Sequence, residues 1–167
     1  MSDEKKTTCR KCGKEITYKT KPPSTCHICK NKKKTRRQYP KKKNTKGELY
    51  LFAVLDNILR GRTYINHGYY SMLPSPKGAP MQLDRYYPEL RLAFEYDGPQ
   101  HETYSPFIHK SYENFQYMKE CDKVKEELCK KLGITLIRVH YKHRITDESL
   151  KLDIKKANKE LYKKLFE

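Results

Sequence analysis

The first 46 residues contain no Leu, Val or Phe, and only three acids, Asp3, Glu4 and Glu15, against 17 Lys and Arg. With Ile16 and Ile28 as its few aliphatic side chains, this quarter cannot build a hydrophobic core, and it has no apolar face to insert into a membrane. Nowhere does an apolar run approach the roughly 20 residues of a transmembrane helix. The opening Met-Ser-Asp-Glu-Lys-Lys-Thr-Thr also lacks the apolar stretch of a secretory signal. These absences lead us to expect a cytoplasmic protein with no membrane partner. In that setting the six cysteines serve as metal ligands or free thiols rather than disulfides.

What the chain does have is positive charge. The formal net charge is +17 over 167 residues, of which +14 falls in residues 1–46 and only +3 in the rest. A basic segment of this kind suits nucleic acid, because each neutralised phosphate releases counterions without regard to sequence. Hydrophobic content of 36% still leaves enough Leu, Ile, Tyr and Phe for one core in the remaining three quarters.

Four of the cysteines form two knuckles, Cys9-Arg-Lys-Cys12 and Cys26-His-Ile-Cys29. Two such pairs at this separation can close a tetrahedral thiolate shell around Zn²⁺, and the metal would then supply the folding energy that burial cannot. A small zinc-ribbon-like module over residues 1–34 is expected; the alternative is a disordered basic tail with incidental cysteines. Residues 35–46 form a basic linker or arm. Lys32, Lys33, Lys34, Arg36, Arg37, Lys41, Lys42 and Lys43 are the candidate DNA-phosphate contacts, with a solvated spacer or a nuclear localisation cluster as the other readings.

From residue 47 onward the pattern predicts a mixed β-sheet flanked by helices. Thr45-Lys-Gly-Glu48 has the form of a capping box, and Leu49, Phe52, Leu55 and Leu59 continue at helical spacing. A strand over 63–70, a Pro-rich loop over 74–80 and a hairpin with arms Gln82–Tyr87 and Arg91–Asp97 follow. One long helix is expected from Ile108 to Leu132, ended by Gly133, then a strand over Ile134–His140 and a final helix from about Thr146.

The hairpin gathers Asp84, Glu95, Asp97 and His101 into a short stretch of a basic chain. Alternation puts Leu92, Phe94 and Tyr96 on one face of the second arm, and Ala93, Glu95 and Asp97 on the other. If the turn holds an even number of residues, Asp84 joins Glu95; an odd turn flips it away. Carboxylates crowded in this way call for a cation, and Mg²⁺ suits them. The bland alternative is a row of solvent-facing acids paired with nearby lysines.

Leu-Asp84-x-Tyr-x-Pro88-Glu-Leu-x-Leu-Ala-x-Glu95-Tyr-Asp97-Gly98-x-Gln-His101, followed by Cys-Asp122-Lys and Gly133-Ile-Thr-Leu-Ile-Arg138-Val, resembles the restriction-endonuclease-like superfamily. Within it, the likeness is to the branch containing the very-short-patch mismatch repair endonuclease and related phage homing endonucleases, over about residues 47–141. The resemblance implies a Mg²⁺-dependent cut of DNA and a Glu, Asp, His, Asp signature carried here by Glu48, Asp84, His101 and Asp122. Asp84 would hold the metal with Glu95, and His101 would move the proton. Where the superfamily usually has a lysine, this chain has Asp97, which departs from the orthodox mechanism.

Each of these residues has a plainer role open to it. Glu48 can simply cap its helix, Asp122 can pair with Lys119 or Lys125 one turn away, and Arg138 can pair with an acid instead of a phosphate. His67 and His109 have no supporting context in the sequence. Taken together, residues 47–167 read as the catalytic domain of a DNA endonuclease, with a phage setting among those open. Two rivals stand beside it: a non-catalytic nucleic-acid-binding phage regulator on the same fold, and a zinc-containing His-Asn-His nuclease. The last requires a ββα metal site, and would be revived by His67, rather than His101, lying beside Asp84.

Overall fold

The computed structural model describes residues 4–8, 15–18 and 43–167, and the chain divides into two units, Met1–Lys41 and Lys42–Glu167. Cys9, Cys12, Cys26 and Cys29 lie outside the described residues, as do the arm residues from Lys32 to Lys42. In the first unit, β1 (Lys5–Thr8) and β2 (Glu15–Tyr18) pair antiparallel, with Lys5 opposite Tyr18 and Thr8 opposite Glu15. Neither strand is marked out by the sequence, because four residues are too few for a periodic signal even where Ile16 and Tyr18 alternate with Glu15 and Thr17.

The second unit begins with α1 (Lys46–Ile58), and its capping box is formed: Glu48 N–H donates to Thr45 Oγ1 at 3.2 Å, while Thr45 N–H donates to Glu48 Oε2 at 2.6 Å. Its core face is Leu51, Phe52, Leu55 and Leu59. Leu49, expected on that face, is instead exposed, so the apolar stripe is rotated from the predicted one. Then come β3 (Ile65–Pro74), β4 (Pro80–Tyr87), a 3₁₀ turn (Pro88–Leu90) and β5 (Leu92–Asp97). Another 3₁₀ turn (Pro99–His101) and the short α2 (Pro106–His109) lead into α3 (Tyr112–Lys131), β6 (Thr135–His140), α4 (Asp147–Ala157) and α5 (Lys159–Phe166).

The long helix expected from Ile108 is therefore broken. Lys110 adopts φ 66° and Ser111 caps a new start at α3, so Ile108 and Tyr112 stay exposed although both fit the helical period. The last helix is likewise interrupted at Asn158, whose side-chain oxygen accepts from Leu161 N–H at 3.0 Å and begins α5. Side chains that compete for backbone groups end helices in ways that apolar spacing does not register.

The sheet is mixed, in the order β3-β4-β5-β6: antiparallel through β5, then parallel between β5 and β6, with α3 in the crossover. Leu92 and Phe94 pack with Leu51, Phe52 and Leu55 of α1 and with Leu150, Ile154 and Leu161 of α4 and α5. Ala93 packs on the other side with Tyr86 and Cys129, against Cys121, Val124 and Leu128 of α3. Each large side chain fully buried in these layers is worth about 1.5–3 kcal/mol. Arg85 ties the α1 layer to the sheet. It is buried between the rings of Phe52 and Tyr64, and donates to Phe52 O (3.1 Å), Asp56 Oδ1 (2.5 Å) and Asn66 Oδ1 (2.9 Å). Arg85, the neighbour of Asp84 in β4, thereby ties the middle and last turn of α1 to β3 and β4.

Candidate functional site

The β4–β5 register decides where Asp84 lies. Tyr87 pairs with Leu92, Tyr86 with Ala93 and Arg85 with Phe94, leaving Pro88 to Arg91 as an even turn of four residues. The same register would set Asp84 opposite Glu95. Instead of continuing the ladder, Asp84 Oδ2 accepts from the Tyr96 backbone N–H at 3.0 Å. The carboxylate thus lies across the end of the strand pair, where it meets groups from both helical layers.

From the α1 layer comes Glu48, almost fully buried. From β3 comes His67, opposite Asp84 in the β3–β4 register, with Nδ1 3.6 Å from Asp84 Oδ1. Ligand atoms of Glu48, His67 and Asp84 all lie within 4.8 Å of one another, a spacing that could hold a metal ion. His67 adopts φ 51°, a left-handed conformation costing about 1–3 kcal/mol outside glycine, and Asn44 Oδ1 sits 2.5 Å from its Nε2. Its Nδ1 is buried with no hydrogen-bond partner.

From the α3 layer comes Lys125, whose ammonium meets Glu95 Oε2 at 2.7 Å, both side chains being largely buried. Burial pushes the Glu95 carboxyl up to about 7; Lys125 works against this, and the Asp84 and Asp122 charges add to it. Glu95 Oε1 is buried without a hydrogen-bond partner. An acid in this state is one to which a cation is worth much. Oxygen donors on Glu48 and Asp84, with the His67 nitrogen, have the spacing to fit a divalent ion, and Glu95 lies close enough to feel the Asp84 charge.

A second group lies at the end of β5. The Pro99–His101 turn places His101 Nδ1 2.8 Å from Asp122 Oδ2 on α3 and 3.9 Å from Asp97. The hydrogen bond to Asp122 raises the His101 pKa above its ordinary value, against the opposing effect of burial. Burial alone would raise Asp122, but His101 and Arg138 outweigh it and hold that carboxyl low. Arg138 grips Asp97 through Nε (2.7 Å) and Nη2 (2.9 Å), and also reaches Asp122 (3.0 Å) and Glu126 (2.9 Å). Its guanidinium, a candidate phosphate contact in the sequence, is engaged by three acids. Lys43, the one candidate phosphate contact of the basic segment among the described residues, is exposed.

Most of the anticipated constellation is brought together: Asp84 with Glu48, Asp84 with Glu95, and His101 with Asp122. Three contributors escaped the sequence reading. His67 lies beside Asp84, and Lys125 brings a buried ammonium from a helix instead of the strand. His109 is buried and locks the loop that carries His101, accepting from Ser105 N–H at 2.9 Å while its Nε2 lies 3.0 Å from Gln100 O. Helical spacing could have flagged Lys125, which falls one turn after Asp122. Nothing local marks His67.

A cleft of about 210 Å³ is lined by His101, Asp122 and Arg138, with Lys119, Lys123 and Glu126 around them. Another, of about 300 Å³, runs from Thr45–Glu48 to Tyr96 and Gly98–Gln100. Gly47 lets the Tyr96 ring lie against the start of α1 at this second cleft; an added Cβ would fall 2.1 Å from that ring and displace it.

The chain is similar to three viral proteins, each named as uncharacterized. It is 38% identical over 61 residues to protein 307L of Invertebrate iridescent virus 6, 36% of this chain and 31% of that protein. It is 28% identical over 86 residues to protein 033L of Invertebrate iridescent virus 3 (45% and 44%), and 40% identical over 65 residues to protein 094L of Frog virus 3 (38% and 42%). The chain thus spans less than half the length of these curated relatives. No family model matches the chain, and no solved structure matches it. No helix among the described residues is long and apolar enough to cross a membrane.

Proposed function

We propose that residues 47–167 form a metal-dependent DNA endonuclease that hydrolyses phosphodiester bonds on a restriction-endonuclease-like fold. One observation carries the reading: a buried Asp84–Glu95 acid pair lies beside a separate His101–Asp122 dyad at the same end of a mixed sheet. Cation-holding acids next to a proton-moving histidine are what phosphodiester hydrolysis needs. The mixed sheet agrees with the fold that the motif resemblance implies.

Asp84, with Glu48 and Glu95, would hold the cation. When bound, it would lower the pKa of attacking water and offset charge on the phosphate. Asp122 accepts from His101 Nδ1–H and so fixes the ring with Nε2 as the proton acceptor. His101 takes the proton of the attacking water as the new P–O bond forms, and the opposite P–O bond breaks to release the leaving oxygen. Lys119 and Lys123, at the mouth of the His101 cleft, attract the phosphate backbone. The basic arm adds affinity without choosing the position of the cut. The two cysteine pairs hold a structural Zn²⁺. The relatives suggest a viral protein working inside an infected cell.

The test is nicking of supercoiled plasmid by purified protein with Mg²⁺ or Mn²⁺, compared with EDTA. Cutting that requires the cation and disappears in Asp84→Ala supports the enzyme. Intact DNA under every condition, with DNA binding retained, favours the non-catalytic binder. The His-Asn-His reading gains His67 beside Asp84, with Asn44 on its ring. However, β4 passes into β5 and not into a helix, so the ββα frame it needs is missing among the described residues.

A further inference from the structure

We propose that His67 is a metal ligand, and that Glu48, His67 and Asp84 select an imidazole-accepting transition ion such as Mn²⁺, Fe²⁺, Co²⁺ or Zn²⁺ over Mg²⁺. The inference rests on the nuclease reading only in taking Asp84 as a cation-holding residue. No part of the Glu, Asp, His, Asp signature includes His67.

Three observations carry it. First, the nearest ligand atoms of the three side chains lie within 4.8 Å of one another, and Glu48 and Asp84 are buried. Second, the acceptor oxygen of Asn44 at Nε2 assigns the ring proton to that nitrogen. In the neutral ring Nδ1 then carries the lone pair; it has no hydrogen-bond partner and lies 3.6 Å from an Asp84 oxygen. A lone pair beside a carboxylate is repelled, whereas a cation between the two would be coordinated by both. An acceptor on the far ring nitrogen is also the usual way in which a metal-bound histidine is oriented. Third, His67 holds this position in a left-handed conformation in the middle of a strand. A histidine that only filled space could adopt ordinary strand geometry.

The donor set decides the ion. Carboxylate oxygens alone suit Mg²⁺, while a neutral imidazole moves the preference to transition ions. Asn44 is a positioning residue, because it acts through His67.

The probe is Mn²⁺, added to the full-length protein carrying no more than about one equivalent of Zn²⁺, which four thiolates take in preference to a carboxylate–imidazole site. Thiolates compete poorly for Mn²⁺. Loss of the free-ion EPR signal gives affinity, Mg²⁺ competition gives selectivity, and pulsed EPR reports a directly coordinated ¹⁴N. The wild type should bind Mn²⁺ at least tenfold tighter than Mg²⁺ and show ¹⁴N coupling. In His67→Gln the coupling disappears and Mn²⁺ binding weakens about tenfold or more, while Mg²⁺ binding changes less than about twofold. Asn44→Ala weakens Mn²⁺ binding and retains the coupling. No Mn²⁺ binding, bound Mn²⁺ without ¹⁴N coupling, or coupling that survives in His67→Gln would each overturn the proposal. Should His67→Gln not fold, the wild-type spectrum and Mg²⁺ competition decide alone. Because no DNA is present, a protein that nicks DNA with Mg²⁺ but lacks the nitrogen ligand refutes this inference and leaves the nuclease reading standing. Nitrogen-bound Mn²⁺ without DNA cutting does the reverse.

Discussion

Asp122 fixes how His101 behaves with pH. The hydrogen bond between them raises the histidine pKa, so the neutral form needed to accept a proton appears only above the ordinary value of 6.5. Cleavage should therefore rise with pH along a limb displaced to the alkaline side. Asp122→Asn should shift that limb to lower pH and reduce the maximum rate, as single-turnover cleavage from pH 5.5 to 9 would show. An unmoved limb would remove His101 from the proton transfer. Glu95 predicts a second pH effect. Its carboxyl is pushed up to about 7 in the folded chain against an ordinary 4.5, so between those values the folded state binds the extra proton. The stabilisation is full below about pH 4.5 and is lost as pH rises through about 7. Without divalent ions, urea unfolding should show stability falling across that window, and a saturating divalent cation should flatten the slope. Stability equally flat with and without the cation would argue that Glu95 is not at the ion.

At the scale of elements, strand alternation and the capping box were legible because each depends on neighbours in sequence. Leu92 and Phe94 do face α1, Ala93 faces α3, and Thr45 and Glu48 do close the box. The long helix broken at Lys110 was not legible, since Ile108 and Tyr112 keep the right spacing while the backbone turns between them. His67 was hidden for a different reason. Its importance comes from cross-strand register with Asp84, and no local pattern reports register. Glu48 belongs to both kinds, because one residue caps α1 and also faces Asp84. Glu48→Gln separates the two roles, since glutamine can close a capping box but carries no charge. Thermal or urea unfolding should change by less than about 0.5 kcal/mol, whereas divalent-ion affinity should fall about tenfold. A large stability loss with unchanged affinity would make Glu48 a cap alone.

For the whole molecule, charge is unevenly divided. Residues 1–46 carry +14 and the nearly balanced remainder holds the buried acids; the proposed function assigns the attraction to phosphates to the first segment. Composition made the charge division legible, and the break between the two units near Lys41 falls close to it. The cysteine pairs belong to the basic segment, and the proposal that they hold Zn²⁺ makes a stoichiometric prediction. Purified protein should contain about one zinc per chain, and Cys12→Ser should lose it. Zinc absent from wild type, or unchanged in the variant, would leave the basic segment without its proposed anchor.

In the proposed function the Asp84 acids and the His101 dyad act together to cut DNA. The most direct measurement is single-turnover cleavage of one supercoiled substrate by wild type, Asp84→Ala and His101→Ala, with divalent cation and with EDTA. Wild type should cut only with the cation, Asp84→Ala should not cut, and His101→Ala should cut about 10²–10⁴-fold more slowly. Cutting that survives EDTA, or that Asp84→Ala leaves unchanged, would contradict the proposed function.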